Sequence, residues 1–184
     1  LSLPSGKLPN ALLVPFLEEL AVDDPSVRIG PGMGQDTAVV EAGGAELLVM
    51  TSDPITFATD AAGIYAVAVN ANDMATSGAS PRWMITTLLF PSGTTPSQIR
   101  HLMGEVGAAC RRWGIALCGG HTEITDAVFR PVAVGTLVGT VSREGLVDKR
   151  RIRPGDALLM TKSAGLEGTA ILAREFKDRL RGQG

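Results

Sequence analysis

Four acidic residues stand where their chemistry would matter. Asp36 ends the run 30–36, in which spaced glycines lead into a strand. Asp53 follows the apolar stretch 46–51, in Ser52-Asp53-Pro54. Asp73 lies inside 65–81, a segment made largely of small and apolar residues, and Glu123 follows Gly119-Gly120-His121-Thr122. A hard divalent cation with phosphate ligands takes carboxylates of this kind. Magnesium uses one or two from the protein and completes its shell with water and phosphate oxygens. Carboxylates that converge repel one another, and a cation lets them stay ionised. Each residue also has a plainer reading. Asp36 fits a solvated hairpin turn, Asp53 a turn cap, and Asp73 a core carboxylate satisfied by hydrogen bonds. His121 and Glu123 fit the polar neighbours of a Gly-Gly turn.

The elements that must position these residues follow from pattern. Segment 65–81 reads as a helix because Ala and Met favour one, with Gly78 and Pro81 marking its end and Thr59 or Asp60 available as its cap. Asn70, Asp73 and Ser77 recur at spacings of three and four, so they share one face, while Asn72 points elsewhere. Strands are expected at 27–29, 37–41, 46–51, 82–90, 115–118 and 131–141, with Pro54 ending pairing of the third. Asn10 is expected to cap a helix through Leu20, with Leu12, Leu13, Phe16 and Leu17 on one side. A second amphipathic helix spans 97–112, placing Met103 and Cys110 in the core and His101 at the surface.

The glycines of 30–36 are not a dinucleotide fingerprint, because Thr37 opens a strand rather than a helix. They are not a P-loop either, since no Gly-Lys-Ser/Thr follows. Gly119-Gly120 would expose amides in a setting that suits phosphate. Residues 143–153 are charge-rich and read as a linker. Beyond them a strand at 156–161, a glycine loop and a helix from Thr169 to about Leu180 form a unit that can bind phosphate at a helix N-terminus. One strand and one helix cannot bury a core. The expected organisation is therefore a domain at 1–142, a linker at 143–153 and the beginning of a second domain at 154–184, in an N-terminal portion of a longer protein.

Composition narrows the partners. A net charge of −2 implies no basic surface for nucleic acid. No apolar run is long enough for a bilayer and no signal-peptide pattern opens the chain. Cys110 and Cys118, the only cysteines, lack metal-finger spacing, so a reducing cytoplasm is expected.

Five motifs occur in order: Gly-Gln-Asp-Thr-Ala-Val at 34–39, Thr-Ser-Asp-Pro at 51–54, Val-Asn-Ala-Asn-Asp-Met-Ala-Thr-Ser-Gly-Ala-Ser-Pro at 69–81, Gly-Gly-His-Thr-Glu at 119–123 and Pro-Gly-Asp-Ala-Leu-Leu-Met-Thr-Lys at 154–162. Together they resemble the superfamily of aminoimidazole ribonucleotide (AIR) synthase, thiamine-monophosphate kinase, selenophosphate synthetase and the hydrogenase maturation factor HypE. Within it the chain looks most like the HypE-like, AIR-synthase-related group. The resemblance implies an α+β fold with a mixed sheet and helices on one face, paired with a second copy into a barrel-like dimer and followed by a second α+β domain. It implies ATP and Mg2+ as cofactors. Asp36, Asp53 and Asp73 would face magnesium with Asn72 beside them, and Gly119, Gly120 and Thr122 would line the nucleotide. The implied activity is phosphorylation of a carbonyl, amide or carbamoyl oxygen, in hydrogenase maturation and with a maturation partner protein. A small-molecule kinase like the thiamine-phosphate member and a non-catalytic dimeric nucleotide-binding scaffold are the alternatives.

The chain departs from the pattern in four places. Gln35 precedes Asp36 where many relatives carry paired acids, and His121 stands where HypE and thiamine-monophosphate kinase have Asp, with Glu123 as the substitute metal ligand. HypE uses a C-terminal cysteine tail as a carrier, and residues 1–184, expected to be an N-terminal portion, do not include one. Selenophosphate synthetase is set aside, because it needs a reactive Cys or selenocysteine near its start, where this arm offers Lys7.

Overall fold

The computed structural model describes residues 2–20, 22–58 and 60–182. Leu1, Gly184 and Thr59, one of the two expected helix caps, lie outside them. The elements are α1 (Asn10–Glu19), β1 (Val27–Ile29), β2 (Ala38–Val40), β3 (Glu46–Ile55), α2 (Ala62–Thr76), β4 (Ser80–Pro91), α3 (Pro96–Arg112), β5 (Ala116–Thr125), β6 (Val132–Ser142), a 3-10 turn (Lys149–Arg151), α4 (Leu166–Glu175) and α5 (Lys177–Arg181). The six strands form one mixed sheet in the order β1-β2-β3-β6-β4-β5, antiparallel except for the β4–β5 pair. The architecture is α+β, as the resemblance implied.

The core lies between this sheet and α2 and α3. Strand periodicity sends Leu47, Val49 and Ile55 of β3, Met84, Leu88 and Phe90 of β4, and Ala133 and Leu137 of β6 toward the helices, and all are buried. Val67 and Met74 of α2 and Val106 and Cys110 of α3 meet them. Glycines let α2 lie close. A Cβ on Gly135 would sit 2.6 Å from Asn70 Nδ2 and 2.8 Å from the Ala66 carbonyl oxygen, so any side chain there would push the helix off the sheet. Among the described residues no helix packs on the opposite face of the sheet, where Trp83 and Ile85 are exposed.

Several local expectations are corrected. Pro54 does not stop β3, which continues to Ile55. Beyond Met50 that strand has β6 on one side and no strand on the other, and a proline is tolerated at such an edge. The 119–123 run is not a turn but the middle of β5, and this strand is exposed because it is the edge of the sheet. Met103 is 45% exposed rather than in the core. That helix starts at Pro96 under a Thr95–Gln98 capping box. Asn10 is the first residue of α1 rather than its cap, and no α1 residue is buried. Asp60 does not cap α2; Ala61 precedes the helix in a left-handed conformation. The strand expected at 156–161 does not form. Leu158, Leu159 and Met160 stand exposed with no strand beside them, and an unpaired strand has no hydrogen-bond ladder to hold it. The last expected helix is broken at Phe176 into α4 and α5. No helix among the described residues is long and apolar enough to cross a membrane.

Candidate functional site

Strand β3 and helix α2 build the site together. Thr51 and Asp53 are two apart on β3, so both face α2, where Asn70 and Asp73 occupy adjacent turns of one stripe. Asn70 is fully buried and joins the two elements. Its Oδ1 accepts the Asp53 backbone N–H at 3.1 Å, and its Nδ2 donates to the Ala66 carbonyl at 2.7 Å. Beyond Met50 no neighbouring strand remains on the β2 side of β3, and the Asn70 side chain serves the Asp53 amide instead. Asn70→Ala is expected to cost about 2–3 kcal/mol, since it strands a buried backbone N–H and opens a cavity. The midpoint of urea unfolding would show the loss.

Thr51 Oγ1 stands 3.5 Å from Asp53 Oδ2 and 3.4 Å from Asp73 Oδ2, at the long limit of a hydrogen bond to each. Burial pushes the Asp73 carboxyl up to about 7. A hydrogen bond with Asp53 and the charges of Asp53 and then Asp36 add to the rise, and the Thr51 hydroxyl opposes it. Without a metal, the Asp73 carboxyl therefore keeps its proton to near neutrality.

That proton makes stability depend on pH. In the unfolded chain Asp73 ionises near 3.9, whereas in the folded chain it keeps its proton up to about 7. Between these values the folded state binds more protons than the unfolded one, so stability falls as pH rises from about 4 to 7 and is flat for this group above that. Glu41 and Asp148 are held down to about 2 by Arg143 and Arg150 respectively, so their contributions are lost only as pH falls below about 4. The metal-free melting temperature is expected to drop between pH 5 and pH 8, and Mg2+ to raise it more at pH 8 than at pH 5. Scanning calorimetry with and without Mg2+ checks both.

Asp36 reaches the same place from the β1–β2 turn. Asp36, Asp53 and Asp73 line one cleft of about 870 Å³ together with Lys7, Gln35, Phe57, Val69 and Glu167. The buried Thr37 and Ser77 hydroxyls bond to each other and fasten the turn to the end of α2. Asp36 is not part of the carboxylate pair, however. Its carboxylate is bonded to Lys149 Nζ, which also donates to the Gly34 carbonyl at 2.6 Å. Among the described residues, no three His, Cys, Asp or Glu side chains are close enough to hold a metal ion together. A cation in the cleft would therefore take Asp53 and Asp73 and fill its shell with water or phosphate oxygens, which is magnesium's usual habit. The convergence of Asp53 and Asp73 around Thr51 Oγ1 is what shows the fit: a cation between two carboxylates relieves their repulsion.

The other sequence candidates lie elsewhere. Asn72 is exposed, one position off the Asn70–Asp73–Ser77 stripe. Gly119, Gly120 and Thr122 are on β5, separated from β3 by β6 and β4, or about 15 Å of sheet. They line a separate cavity of about 460 Å³ between β5 and α3, with Cys118, His121 and Met103. Glu123 does not reach the acidic cleft; its Oε2 lies 3.2 Å from His121 Nε2 on the exposed edge strand. Sequence reasoning missed Lys149, which looked like one charge among several in a linker. It also passed over Thr51, whose role depends on what α2 brings near it.

Comparison with known proteins agrees with this geometry. The family model for the N-terminal domain of AIR synthase related proteins matches residues 34–141. Carbamoyl dehydratase HypE of Cupriavidus necator is 28% identical over 191 residues, covering 96% of this chain and 52% of that protein. Selenide, water dikinase of Geobacter metallireducens is 33% identical over 157 residues, covering 82% and 45%. The second belongs to the selenophosphate synthetase group that the sequence reading set aside. Among solved structures, hydrogenase maturation protein HypE superposes with a TM-score of 0.63 at 24% identity, over 84% of this chain and 49% of that one. A thiamine-monophosphate kinase fold, AaThiL complexed with AMPPCP and TMP, superposes at 0.58 with 22% identity, over 78% and 46%. The chain spans about half the length of the curated relatives it matches. With the family model covering more than half of its residues, and with α2 and β3 presenting the acidic motifs on one cleft, the chain belongs to the AIR synthase related family.

Proposed function

We propose that this chain carries the Mg-ATP site of a HypE-like enzyme that activates a carbonyl, amide or carbamoyl oxygen by phosphorylation. The observation that supports it most is the Asp53–Asp73 pair, two carboxylates gathered around Thr51 Oγ1 on a cleft wide enough for a triphosphate. Bound magnesium would neutralise charge on the transferring phosphoryl group, the main demand of phosphoryl transfer. Asp53 and Asp73 would hold the ion, Asn70 and Thr51 would fix the two carboxylates, and Lys7 would add positive charge at the cleft wall. Titration calorimetry with ATP and Mg2+ on the full-length protein tests the reading, and binding no stronger than background sinks it. A phosphorylated product that persists after turnover would mark a kinase like the thiamine-phosphate member. Tight binding without turnover would mark a scaffold.

The same reading includes a homodimer and a second domain. The helix-free sheet face with Trp83 and Ile85, and the unpaired edge of β5, are the surfaces a second copy would cover. A second copy would also explain how Gly119, Gly120 and Thr122 serve a nucleotide that lies over the acidic cleft, since one chain keeps them apart. Sedimentation at micromolar concentration would find a dimer; a monomer contradicts the arrangement. Residues 154–182 would begin the second domain, where a neighbouring strand could order 156–161. A hydrogenase maturation protein is the partner class that goes with this function.

A further inference from the structure

Lys149 occupies an unusual position for a linker residue. The segment around it is fastened on both sides: the Val147 N–H donates to the Ser77 carbonyl at 3.1 Å, and Arg150 Nη2 donates to the Arg28 carbonyl at 3.2 Å. Gly78, at φ +72°, passes the Gly145 carbonyl so closely that a Cβ would stand 2.6 Å from its oxygen. From this fixed base the Lys149 ammonium reaches 113 positions back to Asp36 and also binds the Gly34 carbonyl. Asp36 lines the cleft beside Asp53 and Asp73, yet its carboxylate is spent on Lys149.

We propose that Lys149 is a tethered counter-ion that withholds Asp36 from a divalent cation on the Asp53–Asp73 pair. An ammonium is a compact, strongly hydrated single charge on a flexible stem. A divalent ion already held by two carboxylates outcompetes it for the third only by breaking the ion pair and freeing the Gly34 carbonyl. Lys149 thus lowers the cleft's affinity for a bare cation and makes Asp36 a late ligand. It acts through Asp36, as a positioning residue. The inference rests on the cation reading of the cleft.

Mn2+ alone is the probe, followed by water-proton relaxation on the 184-residue chain, with no nucleotide and no turnover. Lys149→Gln is expected to bind Mn2+ roughly fivefold more tightly, because it frees the Asp36 carboxylate, one nearby and partly screened charge, to join the cation. Lys149→Arg, which keeps the charge, is expected to match wild type and serves as the folding control. In an Asp36→Asn background the same Lys149→Gln change is expected to give no gain, because the two residues act as one unit. Unchanged or weaker binding by Lys149→Gln overturns the inference, as does a gain of equal size in the Asp36→Asn background. If wild type binds no Mn2+, the cation reading itself falls and takes this inference with it. If wild type binds and Lys149→Gln shows no gain, only the counter-ion role falls.

Discussion

Asp73→Asn is expected to abolish Mg2+-dependent triphosphate binding while making the metal-free chain more stable at pH 8. The two effects have one cause. Asn matches Asp in shape and keeps the long contact to Thr51 Oγ1, but it removes the charge that burial and Asp53 hold at high cost. Without that carboxyl no proton is held up to about pH 7, so the fall in stability between about pH 4 and 7 flattens. The cation loses one of two protein carboxylates. Loss of an outer-shell partner already costs roughly 10–100-fold in metal affinity, and loss of a direct ligand should exceed that. Calorimetric titration and thermal melts on the same sample read both arms. A variant that binds as wild type does would remove Asp73 from the site, and one that is less stable at pH 8 would show that the carboxylate is not under strain.

The second large effect is expected from Gly120→Ala, at the other end of the sheet. Gly120 sits opposite Thr86 in the parallel β4–β5 pair, and an added Cβ would stand 1.9 Å from the Thr86 carbonyl oxygen. A backbone oxygen cannot swing aside as a side-chain tip can. β4 is anchored by β6 on its other side, whereas β5 is an edge strand, so β5 is the one to give way. A cost of about 3 kcal/mol is expected, the upper end of ordinary overpacking. Amide exchange should speed up across 117–125 while the protection of β3 and α2, which carry the acidic pair, stays near wild type. Gly104→Ala on α3 is the control. Nothing lies within 4 Å of its added Cβ, so helix propensity alone predicts a gain of roughly 0.5–1 kcal/mol.

Much of this was legible in the residues. The Asn70–Asp73–Ser77 stripe followed from helical spacing, and the structure gives a half-buried Asp73 between two buried neighbours. Glycine and proline were the less reliable guides. Gly119-Gly120 signals a turn when read locally, but both lie inside a strand, and Gly120 is there for its close approach to Thr86. Pro54 signals a stop, but whether a missing N–H matters depends on which strand, if any, lies alongside. Met103 had core periodicity and is still 45% exposed, because it borders the open cavity between α3 and the edge strand β5.

By itself the sequence determined the elements near the site, the one-face arrangement of Asn70, Asp73 and Ser77, and the five ordered motifs that carry the family. These are local matters of backbone preference and period, and they need no partner. Only the tertiary structure decided that β3 lies against α2 so that Asp53 and Asp73 meet around Thr51, that Lys149 reaches Asp36, and that Glu123 stays with His121 on a distant edge strand. Each of those outcomes depends on distances between residues far apart in the chain. A charge's surroundings, unlike its helical face, are set by what folding packs beside it.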